Sequence, residues 1–153
     1  MPSNNLIIGV GNQFRSDDSV GLLVAREVAS LNLPHVKVIE HSGEGASLME
    51  TWYGFQTVII IDAVVSGAEA GTIHILDAHQ QNIPSEFFHY SSHAFGLAEA
   101  VELARMLNKL PAHLKIFGVE GINFDFGESL SPKVQESIPR LVEMIKSTLV
   151  LPS

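Results

Sequence analysis

The sequence of 153 residues contains no cysteine. A chain without cysteine can have no disulfide framework, no thiolate zinc site and no iron–sulfur cluster, and it cannot use a cysteine nucleophile. Any metal ion that this chain binds must therefore be held by carboxylates and imidazoles, which its 17 Asp and Glu and seven His residues supply.

Basic residues are also scarce, with nine Lys and Arg against 17 Asp and Glu, which gives a formal net charge of −8. Nucleic acids require a basic patch that neutralises their phosphates, so we expect no nucleic-acid partner. An acidic chain suits a cationic partner instead, such as a metal ion or a basic peptide.

Long apolar runs are missing as well. The longest runs, such as Val58 to Ile61, are far too short to cross a bilayer, and Met1 to Asn5 lacks the basic region that opens a secretory signal. We therefore expect a cytoplasmic protein with no membrane partner.

What is present is the pattern of an α/β layered domain, in which apolar strands alternate with segments of helical period. The length fits a single domain over residues 1–153, and no composition shift or repeat divides it. Strands are predicted at Leu6–Val10, His35–Glu40, Gln56–Asp62, Thr72–Leu76 and Leu114–Val119. Helices are predicted at Ser19–Leu31, Ala46–Tyr53, Ala94–Leu107 and Pro132–Leu149, the last capped by Ser131 and either kinked by Pro139 or holding it in the first turn.

The first candidate for chemistry is the glycine pair Gly9 and Gly11 after the first strand, followed by Asn12 and the acidic pair Asp17-Asp18. A dinucleotide fingerprint fails here because Phe14 occupies the third glycine position, and two aspartates would repel a pyrophosphate. One aspartate is expected to cap the following helix, which leaves the other for another role.

The second candidate is Asp62, which ends the buried run of the third strand. Parallel sheets bind ligands at the carboxyl ends of their strands. If the first and third strands are neighbours, Asp18 and Asp62 face each other across one cleft. The alternative is that Asp62 only closes the strand as a turn residue.

The third candidate is His93, at the start of a predicted helix whose dipole would disfavour the imidazolium form. Two carboxylates and one imidazole make a plausible site for a divalent metal ion with open positions. The main enzymatic rival, serine–histidine–aspartate catalysis, lacks support because the chain contains no G-x-S-x-G motif.

These residues also resemble a known family, the hydrogenase maturation endopeptidases. The resemblance is carried by Gly9-x-Gly11-Asn12 with Asp17-Asp18 and Gly21, by Ile61-Asp62-Ala63, and by Ser92-His93 before Gly96-Leu97. It continues through Asn123–Gly127 and Leu130–Pro132 and covers nearly the whole chain.

The resemblance implies a three-layer α/β/α domain of phosphorylase/hydrolase-like type, with a mixed, mostly parallel five-stranded sheet. It implies a peptidase that removes a C-terminal extension from the large-subunit precursor of a nickel–iron hydrogenase after nickel insertion. Asp18, where the family often has Glu, would serve with Asp62 and His93 as metal ligands and catalytic residues. The metal would be nickel carried by the substrate, with other divalent ions able to occupy the site in vitro. We expect the protein to be a monomer.

One stretch departs from the family. Where many members carry an Asp-Gly-Gly-Thr loop linked to substrate recognition, this chain has Glu40-His41-Ser42-Gly43-Glu44-Gly45. The candidate substrate contacts are Gly11, Asn12, Asp17, Glu40, His41, Gly43 and Gly45. Two alternatives stay open: a non-catalytic nickel-checking or docking module of the same fold, and a metallo-aminopeptidase or phosphorylase-like enzyme.

Overall fold

The computed structural model describes residues 4–88, 93–127 and 129–149. Its strands are β1 (Asn5–Val10), β2 (Val36–His41), β3 (Thr57–Val64), β4 (Ile73–Asp77) and β5 (His113–Glu120). Its helices are α1 (Val20–Ser30), α2 (Gly45–Trp52), α3 (Leu97–Met106) and α4 (Pro132–Leu149), with 3₁₀ turns at Ser16–Ser19 and Ser85–Phe88. Ser92, which belongs to the third motif, lies outside the described residues.

The strands form one five-stranded sheet in the order β2-β1-β3-β5-β4. The pairs β1–β2, β1–β3 and β3–β5 are parallel, and only β4, at the edge, runs antiparallel to its neighbour. The predicted mixed, mostly parallel sheet is confirmed, and so is the adjacency of the first and third strands. That adjacency brings the loop after β1 beside the carboxyl end of β3.

Alternate residues of the central strands bury on opposite faces of the sheet, which makes the domain three-layered. One face packs against α2 and α3 through Leu6, Ile8, Val58, Ile60, Leu114 and Ile116. The other packs against α1 and α4 through Ile7, Ile59, Ile61, Phe117 and Val119. Each such side chain contributes about 1.5–3 kcal/mol when it leaves water, so this double-sided burial is the main source of stability.

Helix α3 begins at Leu97, later than the predicted Ala94, because Gly96 has an extended backbone and Glu99 accepts a hydrogen bond from its N–H at 3.0 Å. His93 therefore precedes the helix instead of starting it. The predicted place of His93 at the start of the helix is therefore wrong.

Helix α4 starts at Pro132, directly after Ser131, as predicted, and runs through Pro139 for 18 residues. Pro139 thus lies in the interior of the helix and not in its first turn. In the described parts of the chain, none of the helices combines the length and the apolarity that crossing a bilayer requires.

Candidate functional site

Three glycines let α1 and the turn before it lie directly on the strands that carry the site. A β-carbon on Gly21 would overlap the carbonyl oxygens of Ile61 and Val10, and one on Gly9 would overlap the carbonyl oxygen of Gly21. A β-carbon on Gly11 would overlap the carbonyl oxygen of Asp18. The glycine pair of the first motif therefore serves close backbone packing, and this packing places Asp18 against the end of β1.

A cavity of about 570 Å³ opens at this end of the sheet, and Asp18, Asp62 and His93 all line it. The three residues come from the turn before α1, from β3 and from the segment before α3. Four of the candidate substrate contacts also line the cavity: Gly11, Asn12, Glu40 and His41. Among the described residues, Asp17, Gly43 and Gly45 lie outside the cavity lining.

Asp62 is the first residue of β3 beyond its pairing with the neighbouring strand β1. The last β1 partner pairs with Ile61, whereas Asp62 pairs only with Gly118 of β5. The strand continues to Val64, so Asp62 is not a turn residue that closes it. Its side chain is buried, and Oδ1 accepts a hydrogen bond from the N–H of Ala63 at 2.8 Å. Burial first, and the nearby Asp18 carboxylate second, raise the pKa of Asp62 well above its ordinary value.

Asp18 lines the same cavity as Asp62, and burial removes part of its contact with water as well. Burial raises the pKa of Asp18 to about 6, although a hydrogen bond from the Asn12 backbone and the Arg15 cation act in the opposite direction. Two carboxyl groups that both hold protons more firmly than usual form a site in which a cation would replace those protons.

The β2–α2 loop positions His93. The position where a β-carbon of Gly43 would lie is 4.0 Å from the His93 Cδ2 atom, and the Gly45 N–H donates to the carbonyl oxygen of Phe95 at 2.8 Å. Gly43 has a φ of +97°, which favours glycine. The loop that departs from the family pattern therefore lies against the candidate histidine.

His41, the last residue of β2, holds a fixed tautomer. Its Nδ1 accepts from the Gly43 N–H at 2.9 Å, so the neutral ring carries its proton on Nε2, which donates to Ser47 Oγ at 2.9 Å. Burial lowers the pKa of His41, and His93 adds to this, while Glu44 opposes it. Glu44 caps α2 by accepting from the N–H groups of Ala46 and Ser47, both at 2.9 Å.

The three predicted ligands share a cavity but do not form a ready-made metal site. Within residues 4–88, 93–127 and 129–149, no three His, Asp or Glu side chains are arranged closely enough to hold one metal ion. The donor chemistry fits a divalent metal ion, since two carboxylates and an imidazole are the ligands such ions take.

One aspartate of the pair was expected to cap α1, but Asp17 does not cap it and does not line the cavity. It is fully buried, and its carboxylate accepts hydrogen bonds from the N–H groups of Ile122, Asn123 and Ser131 and from Ser131 Oγ, at 2.7–3.0 Å. Burial opposes its ionisation, but these donors outweigh burial and lower the pKa of Asp17. Its role is to fix the loop between β5 and α4 beside the cavity.

Sequence reasoning also missed Glu120, a buried acid at the end of β5. Its carboxylate accepts from Ser66 N–H at 2.8 Å, Ser66 Oγ at 2.6 Å and Gly67 N–H at 3.3 Å, and it pairs with His74 Nε2 at 3.0 Å. These contacts fix the loop after β3, where the Val65 N–H donates to the carbonyl oxygen of Phe87 and both residues line the cavity. An acid directly after the apolar run of β5 was the available signal.

The buried carboxyl pair is expected to reduce stability as pH rises. Because the folded-state pKa values of Asp18 and Asp62 lie above the ordinary value, the folded protein keeps protons that the unfolded chain releases above about pH 4. Asp62→Asn is neutral at every pH and keeps an oxygen for the Ala63 N–H. Near neutral pH it should be more stable than the wild type in urea unfolding. A difference that does not shrink towards about pH 4 would contradict this account.

The fold and the cavity define a class of protein: an α/β/α domain with two carboxyl groups and an imidazole at the carboxyl ends of its parallel strands. The sequence model of the family described as hydrogenase maturation protease matches residues 23–148, and the chain belongs to this family. Asp62 and His93 lie within the matched residues, and Asp18 precedes them.

One similar protein agrees with this assignment. The hydrogenase expression/formation protein HupD of Thiocapsa roseopersicina is 28% identical over 145 residues, which is 91% of this chain but only 64% of HupD. This chain therefore spans less than two thirds of that relative.

Two solved structures share the fold. The hydrogenase maturating endopeptidase HybD of Escherichia coli has a TM-score of 0.76 at 22% identity, over 97% of this chain and 92% of its own. An endopeptidase from Escherichia coli, solved in solution, has a TM-score of 0.77 at 26% identity, with the same coverage of both chains.

Proposed function

We propose that this protein is an endopeptidase that removes the C-terminal extension of a nickel–iron hydrogenase large-subunit precursor after nickel insertion. It recognises the bound nickel through Asp18, Asp62 and His93. The observation that carries the proposal is the presence of these three side chains in one cavity of a hydrogenase maturation protease family member. We expect the protein to work as a monomer in the cytoplasm.

The division of ligands between the two proteins supports the nickel check. The nickel belongs to the substrate, whose own thiolates hold it, and this chain has no cysteine to compete for it. Two carboxylates and an imidazole can add oxygen and nitrogen ligands at the positions that the precursor leaves open. On this proposal, productive binding depends on a precursor that already carries nickel. Other divalent ions are expected to occupy the same position in vitro.

The carboxyl pair also supplies what peptide hydrolysis needs. One carboxylate can act as general base on the attacking water, which breaks the amide bond once a proton reaches the leaving amine. Positioning of the precursor by its metal would hold the scissile bond near that carboxylate and convert the attack into a step between fixed partners.

The experiment is a processing assay with the purified protein, a nickel-loaded precursor and, separately, a free peptide that spans the cleavage site. Mass spectrometry should show loss of one C-terminal fragment from the precursor and no cleavage of the peptide. A protein that binds the precursor but never shortens it would be a docking module. Cleavage of the free peptide would favour an aminopeptidase or another general peptidase, and either result would contradict the proposal.

Gly45→Ala tests whether the β2–α2 loop positions His93. Alanine is favoured over glycine in a helix by about 1 kcal/mol. Here, however, its β-carbon would overlap the Phe95 ring and lie 2.8 Å from the Phe95 carbonyl oxygen. Displacement of Phe95 shifts His93, and a small misplacement in an active site can lower kcat by about tenfold or more. We expect that loss in the processing assay, together with a lower melting temperature.

Gly54→Ala is the matched control for this substitution. A β-carbon on Gly54 would have no neighbouring atom within 4 Å, although the φ of +88° makes alanine strained there. It should lose some stability and keep its activity. Equal activity in Gly45→Ala and the wild type would refute the positioning role of the loop.

A further inference from the structure

Two loops that reach the cavity through Phe14 and Phe124 carry three large apolar side chains that are exposed. Phe14 is 54% exposed, Ile122 is 68% exposed and Phe126 is 80% exposed. Single exposed apolar residues are ordinary on protein surfaces, but these three come from two adjoining loops, and clustered exposure of this kind marks an interaction site. We call these three side chains, together with Arg15, the rim.

The rim is held in place by the backbone that carries it. The Gly127 N–H donates to the Phe14 carbonyl oxygen at 2.8 Å, and the Ser16 N–H donates to the Gly127 carbonyl oxygen at 2.8 Å, so the two loops run side by side. The Arg15 guanidinium lies 4.6 Å from the centre of the Phe126 ring. The Asp17 carboxylate accepts a hydrogen bond from the Ile122 N–H. Because this backbone is already held by hydrogen bonds, a partner that covers the rim need not order it.

The rim is continuous with the candidate site. Phe14 and Arg15 line the same cavity as Asp18 and Asp62. One opening thus combines an acidic floor, which suits a metal ion, with an apolar edge, which suits the polypeptide around that ion. A lipid surface fits less well, because a chain of net charge −8 is repelled by anionic headgroups.

We propose that the rim binds the precursor's polypeptide next to its nickel, by covering an apolar side chain of that segment with Phe14, Ile122 and Phe126. The inference rests on the proposed function and adds a second contact to it, one that does not involve the metal. The rim therefore contributes affinity for the precursor whether or not nickel is present, whereas the cavity residues distinguish the loaded form.

The test is the double variant Phe14→Ser/Phe126→Ser, compared with the double variant Tyr53→Ser/Met106→Ser. Tyr53 and Met106 are 78% and 83% exposed and are described residues outside the cavity lining. Loss of two covered aromatic rings should weaken binding of the nickel-free precursor by about tenfold or more. For the loaded precursor, the variant should show a higher KM and an unchanged kcat. The control pair should match the wild type in both measurements.

The outcomes separate the two proposals. If the wild type processes the loaded precursor and the rim variant has an unchanged KM and unchanged affinity, the rim inference is overturned and the proposed function stands. If the wild type binds the precursor through the rim but never cleaves it, the proposed function fails and the surface assignment survives. Wild-type binding to anionic vesicles that is lost in the rim variant would assign the surface to lipid and overturn the inference.

Discussion

Asp62→Asn should abolish processing of the nickel-loaded precursor while leaving the protein folded and near neutral pH more stable than the wild type. Asparagine keeps the size of the side chain and an acceptor for the Ala63 N–H, but it removes the negative charge that would meet a metal ion or accept a proton. Loss of such a group typically costs about 10²–10⁴-fold in rate. We expect the same loss for Asp18→Asn and for His93→Ala, measured as release of the C-terminal fragment over time.

The gain in stability makes this prediction demanding, because unfolding cannot account for lost activity in a variant that unfolds at higher urea concentration. The matched control is Asp77→Asn, at the end of β4, which lies outside the cavity lining and whose Oδ1 accepts from the His79 N–H. It should process the precursor at the wild-type rate. Normal processing by Asp62→Asn would show that Asp62 is not part of the active site.

Asp17→Ala should cause the largest loss of stability of any single substitution considered. The change deletes the acceptor of four hydrogen bonds and leaves the donors of Ile122, Asn123 and Ser131 without it. These bonds are partly buried, and a hydrogen bond to a charged group contributes about 1.5–3 kcal/mol, so we expect a total loss of roughly 3–5 kcal/mol in urea unfolding. That is a large fraction of the stability of a typical domain.

The pH dependence of this effect has a definite sign. The folded-state pKa of Asp17 lies below its ordinary value, so its stabilisation is fully present above about pH 4 and is lost as pH falls through the folded pKa. The difference between wild type and Asp17→Ala should therefore narrow in acid. Asp125→Ala, an exposed aspartate on the same loop, should cost little at any pH. A loss below about 1 kcal/mol for Asp17→Ala near neutral pH would show that the loop is held by other contacts.

The parts of this structure that the sequence could predict are those set by local pattern. The buried run before Asp62 predicts a central parallel strand, and right-handed crossovers place it beside β1. From these two facts, Asp18 and Asp62 must approach each other at the carboxyl ends of their strands. The presence of both in one cavity confirms that inference.

What the sequence could not predict depends on contacts between distant residues. Asp17 and Ser131 are 114 positions apart, and nothing near Asp17 distinguishes an aspartate that caps its own helix from one that anchors a remote loop. Glu120 and Ser66 are 54 positions apart and meet only because β3 and β5 are neighbours. The start of α3 was misplaced because Gly96 and Glu99 form a local cap that helical period alone does not reveal.

The most direct test of the central claim is to incubate the wild-type protein with nickel-loaded and nickel-free forms of the same precursor and to weigh the large subunit by mass spectrometry. The account predicts loss of a C-terminal fragment from the loaded form and an unchanged mass for the nickel-free form. Equal cleavage of both forms would contradict recognition of nickel by Asp18, Asp62 and His93.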